Sequence, residues 1–174
     1  MDFMTLAKSR YSVRKFKPDA IEAGKVAAIL EAGKVAPTAV NYQPQRLLVV
    51  QSEEGREKLK KVTPCHFDCP LAILVCYEEN VAWHRPYDNK CSGDIDAAIV
   101  TTHLMLEAKA LGVGSTWVMK FDPDAARQEF HIPEGWEPTA ILVMGYPADD
   151  AEPSPRHETY VDESTLVYYE SFEK

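Results

Sequence analysis

Apolar side chains at Ile21, Val26, Ile29, Leu30 and Val35 recur at helical spacing between charged neighbours, which predicts an amphipathic helix over Ile21–Ala36 that Pro37 stops. A proline-bounded loop of small and amide residues follows, Pro37–Pro44 ("PTAVNYQP"). Arg46–Gln51 ("RLLVVQ") reads as a strand, and Ser52 before Glu53 and Glu54 predicts an N-capped helix to about Val62. Leu71–Tyr77 is an unbroken apolar run, the pattern of a strand buried on both faces. Asp94–Leu111 carries apolar residues around most of a helical circumference, with Asp94 and Asp96 at its positive end. Such a helix is expected to be buried on nearly every side, and in a chain this small that implies a second subunit over one face. Ser115–Met119 reads as a short strand, Pro123–Phe130 as a short helix and Thr139–Met144 as a further buried strand. From Pro147 the pattern changes to prolines among acidic residues, closing with one apolar segment, Leu166–Tyr169. That tail is either frayed or laid across another surface. Helices alternating with few strands, and no tight hairpin turns, give an α+β layered domain whose strand order the pattern leaves open.

Length and charge narrow the classes. The 174 residues fit one domain, 1–174, with 147–174 as an extended tail. A formal net charge of −8 argues against nucleic acid as a main partner, so any bound anion must be held by a few placed groups. No apolar run is long enough to span a bilayer, so no membrane partner is expected. Met1–Lys8 shows no secretory pattern, and Cys65, Cys69, Cys76 and Cys91 are expected as reduced thiols in the cytoplasm. Cys65-His66-Phe67-Asp68-Cys69 lacks a second ligand pair, so no metal site is expected.

Three segments carry chemistry. Ser9–Phe16 ("SRYSVRKF") sets Arg10 and Arg14 four apart with Ser12 between. On a helix the two guanidinium groups share a face; on an extended backbone they converge around the hydroxyl, a set of donors suited to phosphate oxygens. A solvated basic end is the alternative, and the lack of a glycine-rich loop excludes P-loop and Rossmann phosphate binding. In the Pro37–Pro44 loop, Thr38, Asn41 and Gln43 offer hydrogen bonds to a flat heteroaromatic edge, and Pro37 and Ala39 offer apolar contact. Gly112–Trp117 ("GVGSTW") permits close backbone approach, or simply ends a helix.

In order, SRYSVRKF, APTAVNYQP, a buried helix leading into GVGSTWV, and GYPADDAEPSPRH resemble the FMN-dependent nitroreductase family across nearly the whole chain. Trp83-His84-Arg85-Pro86 and the Asp96–His103 stretch are similar to its short members. The resemblance implies a nitroreductase-like α+β fold with a central, mostly antiparallel sheet flanked by helices. It also implies a homodimer that exchanges its C-terminal tails and holds two FMN molecules at the interface. Arg10, Ser12 and Arg14 are then expected on the FMN phosphate and ribityl chain. Pro37, Thr38, Ala39 and Asn41 reach the flavin from the partner subunit, with Gln43 nearby. Gly114 and Ser115 present backbone donors, and Arg156 and His157 return to the phosphate. Two departures stand out: Thr38 where the family usually has serine, and Arg156-His157-Glu158 where many short members place Leu-His with a later arginine.

The implied activity is FMN-dependent NAD(P)H oxidation, with hydride passing from NADH or NADPH to flavin N5 and then to a nitroaromatic, quinone or similar small-molecule acceptor. No side chain is expected to act as a catalytic nucleophile or acid, because the flavin carries the chemistry. His66, Trp83, Tyr87 and Phe121 are the expected walls of the substrate pocket. Rival readings keep the flavin for reductive dehalogenation or enone reduction, make the chain a flavin-binding or redox-sensing protein with little turnover, or leave a non-flavin anion-binding dimer.

Overall fold

The computed structural model describes residues 2–173; Met1 and Lys174, the outer ends of the ranges read above as domain and tail, lie outside the described residues. The elements are α1 (Phe3–Ser9), α2 (Ala23–Lys34), a 3-10 turn (Ala39–Asn41), β1 (Gln45–Val50), α3 (Glu53–Val62), β2 (Leu71–Glu78), α4 (Gly93–Ala110), β3 (Gly114–Val118), α5 (Pro123–Phe130), β4 (Trp136–Gly145) and α6 (Glu163–Leu166). The four strands form one sheet in the order β1-β2-β4-β3, with every neighbouring pair antiparallel.

The unbroken apolar run of β2 follows from its central place. Alternate side chains point to opposite faces of a strand, and both faces are covered here. Ile73 and Val75 join Ile29, Val100, Leu104 and Leu142 beneath α2 and α4. Ala72, Leu74 and Cys76 join Leu59, Val62, Ala126 and Ile141 beneath α3 and α5. Helices α2 and α4 approach closely at Gly33, where an added Cβ would lie 2.7 Å from Leu104 Cδ2. Leu104 is fully buried at that crossing. Leu104→Ala is expected to cost about 3–5 kcal/mol of stability, read as a lower urea midpoint, because the tight crossing cannot collapse onto the cavity.

The structure extends or corrects the sequence expectations in four places. Helix α1 is an element the apolar pattern did not signal; Asp2 caps it by accepting from the Thr5 N–H at 3.1 Å. Strand β4 begins at Trp136 rather than Thr139, because its first residues pair with Cys76–Glu78 across a bulge between Val75 and Cys76. Helix α4 is not covered on nearly every side within one chain. Ile95 is 52% exposed, and Ile99, Thr102 and Leu106 on the same face are half-buried. The tail is two pieces. Pro147 bridges to Phe16, Ala148 N–H donates to Lys15 O at 3.0 Å, and Asp149 and Asp150 pair with Lys17 and Lys15, so this part packs on its own chain. Beyond it, Tyr160, Val161, Leu166, Tyr169 and Phe172 are exposed, and among the described residues none of them belongs to either core cluster.

Candidate functional site

Helix α1 ends at Ser9, and Arg10 turns into extended backbone (φ −74°, ψ 126°). The following segment lies along edge strand β3. Ser12 bridges Ser115 in parallel, Val13 N–H donates to Ser115 O at 3.0 Å, and the Thr116 hydroxyl donates to Val13 O. The extended arrangement is therefore the one built, and residues two apart share a side, so Val13 goes into the core while Arg10, Ser12 and Arg14 face away from it. Gly114 is required by packing: a Cβ there would meet Val13 Cγ2 at 2.7 Å and Pro147 Cγ at 3.0 Å. With β3 bonded to β4 on one side and to this arm on the other, Gly114 and Ser115 lie directly alongside the arginine-bearing segment.

Two of the arginines without a carboxylate partner, a set that among the described residues also includes Arg56 and Arg156, sit close together on this arm. Arg46, Arg85 and Arg127 are each paired with a carboxylate, on Glu78, Asp88 and Glu137. Among the described residues, neither Arg10 nor Arg14 has a carboxylate within ion-pair distance; Arg14 Nη1 donates only to Ser12 O, at 3.4 Å. Arg10, Tyr11 and Lys109 line a shallow pocket with Gly112, Gly114 and Ser115. The tail reaches this region: His157 Nε2 lies 3.0 Å from Lys8 O, and its ring meets the Tyr11 ring edge-on at 6.1 Å. Arg156 is exposed beside it.

The Pro37–Pro44 loop is built differently. Val40, Asn41 and Gln43 have φ of 54°, 57° and 53°, left-handed backbone without a glycine. For a β-branched residue such as Val40 this costs roughly 1–3 kcal/mol, which the surroundings must hold in place. Gln43 N–H donates to Thr38 Oγ1 at 3.0 Å, and the Gln43 amide donates to Asn41 Oδ1 at 3.2 Å. Ala39 N–H donates to Asp96 Oδ1 at 2.8 Å, and the Ser92 hydroxyl donates to Asp96 Oδ2 at 2.7 Å. The loop's remaining side-chain capacity includes the Thr38 hydroxyl proton, the Asn41 amide N–H groups, the Tyr42 hydroxyl, and the second N–H and Oε1 of the Gln43 amide. Sequence reasoning placed Asp96 only as a complement to the helix dipole. Its signal was present: Asp96 shares a helix face with Ala97, Val100 and Leu104, so a carboxylate there must be buried and partnered.

One chain does not bring these two halves together. The loop is bonded to Asp96 at one end of α4, and the arginine arm lies beside Lys109 at the other. Thirteen residues of helix separate Asp96 from Lys109, about 20 Å.

The four expected pocket walls are also dispersed. His66 lines a cleft with Arg56, Lys60, Asp68 and Cys69. Phe121 packs against the core beneath α3 and α5. Trp83 and Tyr87 belong to a hairpin closed by Ser92 N–H donating to Trp83 O at 2.8 Å and Arg85 N–H to Lys90 O at 3.0 Å. Tyr87 stands 95% exposed near its tip. His66 precedes β2 and Trp83 follows it, and a strand of that length spans about 23 Å. Within one chain they do not line a common pocket.

All four cysteines are unpaired, and no grouping of metal-ligating side chains occurs among the described residues. No helix among them is long and apolar enough to cross a membrane. Burial pushes the Cys69 and Cys76 thiols from the ordinary 9.0 to about 11. Below pH 9 the folded and unfolded chains both keep these protons. Between pH 9 and about 11 only the unfolded chain releases them, so stability falls as pH rises. The expected slope is up to about 1.4 kcal/mol per pH unit for each thiol. Urea midpoints measured upward from pH 8 check it, and Cys76→Ala should flatten the decline.

An antiparallel sheet layered between helix pairs, with an arginine-bearing arm on one edge strand, defines a known α+β class. A nitroreductase family protein of Clostridium difficile 630 has the same fold, with a TM-score of 0.93 and 46% identity over 99% of this chain and 100% of that one. The family model for the nitroreductase family matches residues 7–67 and 65–146, and the chain belongs to that family. A Methanothermobacter thermautotrophicus relative, named as a candidate NADH dehydrogenase/NAD(P)H nitroreductase, is 30% identical over 86% of this chain and 80% of its own. A chain from Exiguobacterium sibiricum 255-15, solved in complex with FMN, shares the fold at a TM-score of 0.84 and 23% identity, covering 98% of each chain.

Proposed function

We propose that the chain is an FMN-dependent NAD(P)H oxidoreductase that works as a homodimer, each site combining the Arg10–Arg14 arm of one subunit with the Pro37–Gln43 loop of its partner. The observation that carries this reading is the separation of the two halves along α4, together with the incompletely covered stripe between them, where Ile95 is exposed and Ile99, Thr102 and Leu106 are half-buried. A twofold axis that sets two α4 helices antiparallel over this stripe brings each arm to the partner's loop.

The donor sets suit the parts of FMN. Two guanidinium groups without carboxylate partners and the Ser12 hydroxyl match a phosphate. The Asn41 amide donor and Gln43 Oε1 acceptor, fixed side by side by their mutual bond, match the carbonyl and N–H edge of the flavin ring. Gly114 and Ser115, alongside the arm, border the same site. When bound, FMN supplies the redox chemistry, accepting hydride from NADH or NADPH and passing reducing equivalents to a nitroaromatic, quinone or similar acceptor. The protein's part is to anchor, orient and exclude water, and none of its side chains is assigned as nucleophile or acid. Arg156 and His157 stay beside the arm of their own chain and its phosphate, and the exposed segment from Tyr160 onward is assigned to the partner subunit's surface, where Tyr160, Leu166 and Tyr169 find cover. Residues 1–174 form one FMN-binding domain, which we place in the cytoplasm, where four unpaired thiols stay reduced.

Anaerobic mixing of the FMN-loaded protein with NADH and with NADPH, followed by a panel of acceptors, tests the activity. Rapid bleaching by at least one nucleotide and recovery with a nitroaromatic or quinone is expected. Tight FMN binding with slow reduction by both nucleotides would identify a flavin-binding or sensing protein instead. Recovery only with an organohalide or an enone would move the assignment to reductive dehalogenation or enone reduction.

A further inference from the structure

Asp96 does more than its position in a helix requires. Asp94, in the same first turn of α4, is exposed and answers the positive helix end equally well, at no cost of burial. Asp96 is only 1% exposed, and a buried carboxylate is retained only where it has partners. Its partners come from two segments. One oxygen takes the N–H of Ala39, 57 residues earlier in the chain, and the other takes the hydroxyl of Ser92, where the Trp83–Ser92 hairpin closes. Ala39 is the first residue of the 3-10 turn that leads into left-handed Val40 and Asn41. The bond to Asp96 is therefore applied where the strained stretch begins.

We propose that Asp96 is a positioning residue: it holds the Pro37–Gln43 backbone in the conformation that receives the partner subunit's flavin, and so sets FMN affinity without touching FMN. This inference rests on the assignment of that loop to the flavin. Release of Ala39 lets the left-handed residues relax, and apparent affinity falls with the fraction of loop still in the competent state.

FMN titration and amide hydrogen exchange at Ala39 test it together. In Asp96→Ala the Kd for FMN is expected to rise about tenfold or more, as the competent fraction falls to about a tenth. Exchange at the Ala39 amide should accelerate in parallel while the dimer persists. Asp96→Asn, which keeps a carbonyl oxygen toward Ala39, should recover most of the affinity. Ser92→Ala, which leaves the Ala39 bond in place, should change it less than about threefold. Parent-like FMN binding by Asp96→Ala, or equal losses in Ser92→Ala and Asp96→Ala, overturns the proposal. If Asp96→Ala does not fold, Asp96→Ser, too short to reach Ala39, carries the same outcomes. A parent protein that binds no FMN defeats the flavin assignment, whereas unchanged Ala39 exchange in Asp96→Ala defeats the positioning role by itself.

Discussion

Arg14→Ala protein is expected to bind FMN about 10- to 150-fold more weakly than the parent, the loss of one charge-assisted Arg–phosphate interaction of roughly 1.5–3 kcal/mol. The fold should be unaffected. Arg14 is exposed and bonds only to Ser12 O, so its removal leaves no buried partner unsatisfied. Neighbouring cations supply an internal contrast. Lys15 and Lys17 are held by Asp150 and Asp149, and each carboxylate raises the lysine pKa by its hydrogen bond and charge. These ammonium groups are engaged elsewhere, so Lys15→Ala should leave FMN affinity nearly unchanged. Arg14→Lys should be intermediate, since an ammonium keeps the charge and loses the planar fork. Fluorescence titration with FMN at fixed ionic strength measures all three. Equal affinities for parent and Arg14→Ala would remove Arg14 from the site.

The second large effect concerns assembly. Ile95→Glu/Leu106→Glu is expected to yield a monomer that no longer binds FMN measurably, although both arginines and the whole Pro37–Pro44 loop remain. Neither residue belongs to the two core clusters, and Ile95 is 52% exposed. In an isolated chain Ile95→Glu, at an exposed position, would change stability by only about 0.5 kcal/mol. Across a twofold axis the two substitutions bury four carboxylates against one another and forbid the contact. Sedimentation equilibrium reads the mass, and flavin absorbance in the same cell reads binding. A dimer that still carries FMN would show that α4 does not form the interface.

Much of the fold was legible because apolar periodicity records burial. The run Leu71–Tyr77 announced a doubly covered strand, and Ser52 with its acidic followers announced α3 and its cap, where Ser52 accepts from Gly55 N–H at 3.1 Å. Strand order was not legible, since antiparallel neighbours β2 and β4 are joined through a helix, a strand and another helix, with no local turn to fix their pairing. Helix α1 escaped because it buries no residue fully and leaves Phe3 and Met4 exposed, so no apolar face marks it. Within the candidate site, residue type suggested a ligand chemistry for Arg10, Ser12 and Arg14, and the extended backbone that sets them on one side is what the structure adds. Their unpaired state could not be read, because it depends on where 27 acidic residues settle in space. The separation of His66 from Trp83 was legible, since they flank the Leu71–Tyr77 run, whereas the core packing of Phe121 and the exposure of Tyr87 at a hairpin tip were not. The half-exposed face of α4 is the instructive difference. The sequence pattern called for burial on nearly every side with a second subunit over one face, and the single chain leaves Ile95 exposed and Leu106 half-buried on that face.

One sedimentation run that follows protein and flavin absorbance together tests the central claim most directly. With FMN supplied in excess and unbound FMN distinguished from the protein boundary, bound flavin should travel only with the dimer, at one FMN per chain. Flavin travelling with the monomer, or a dimer that stays colourless in excess FMN, contradicts a site shared between two copies of this chain.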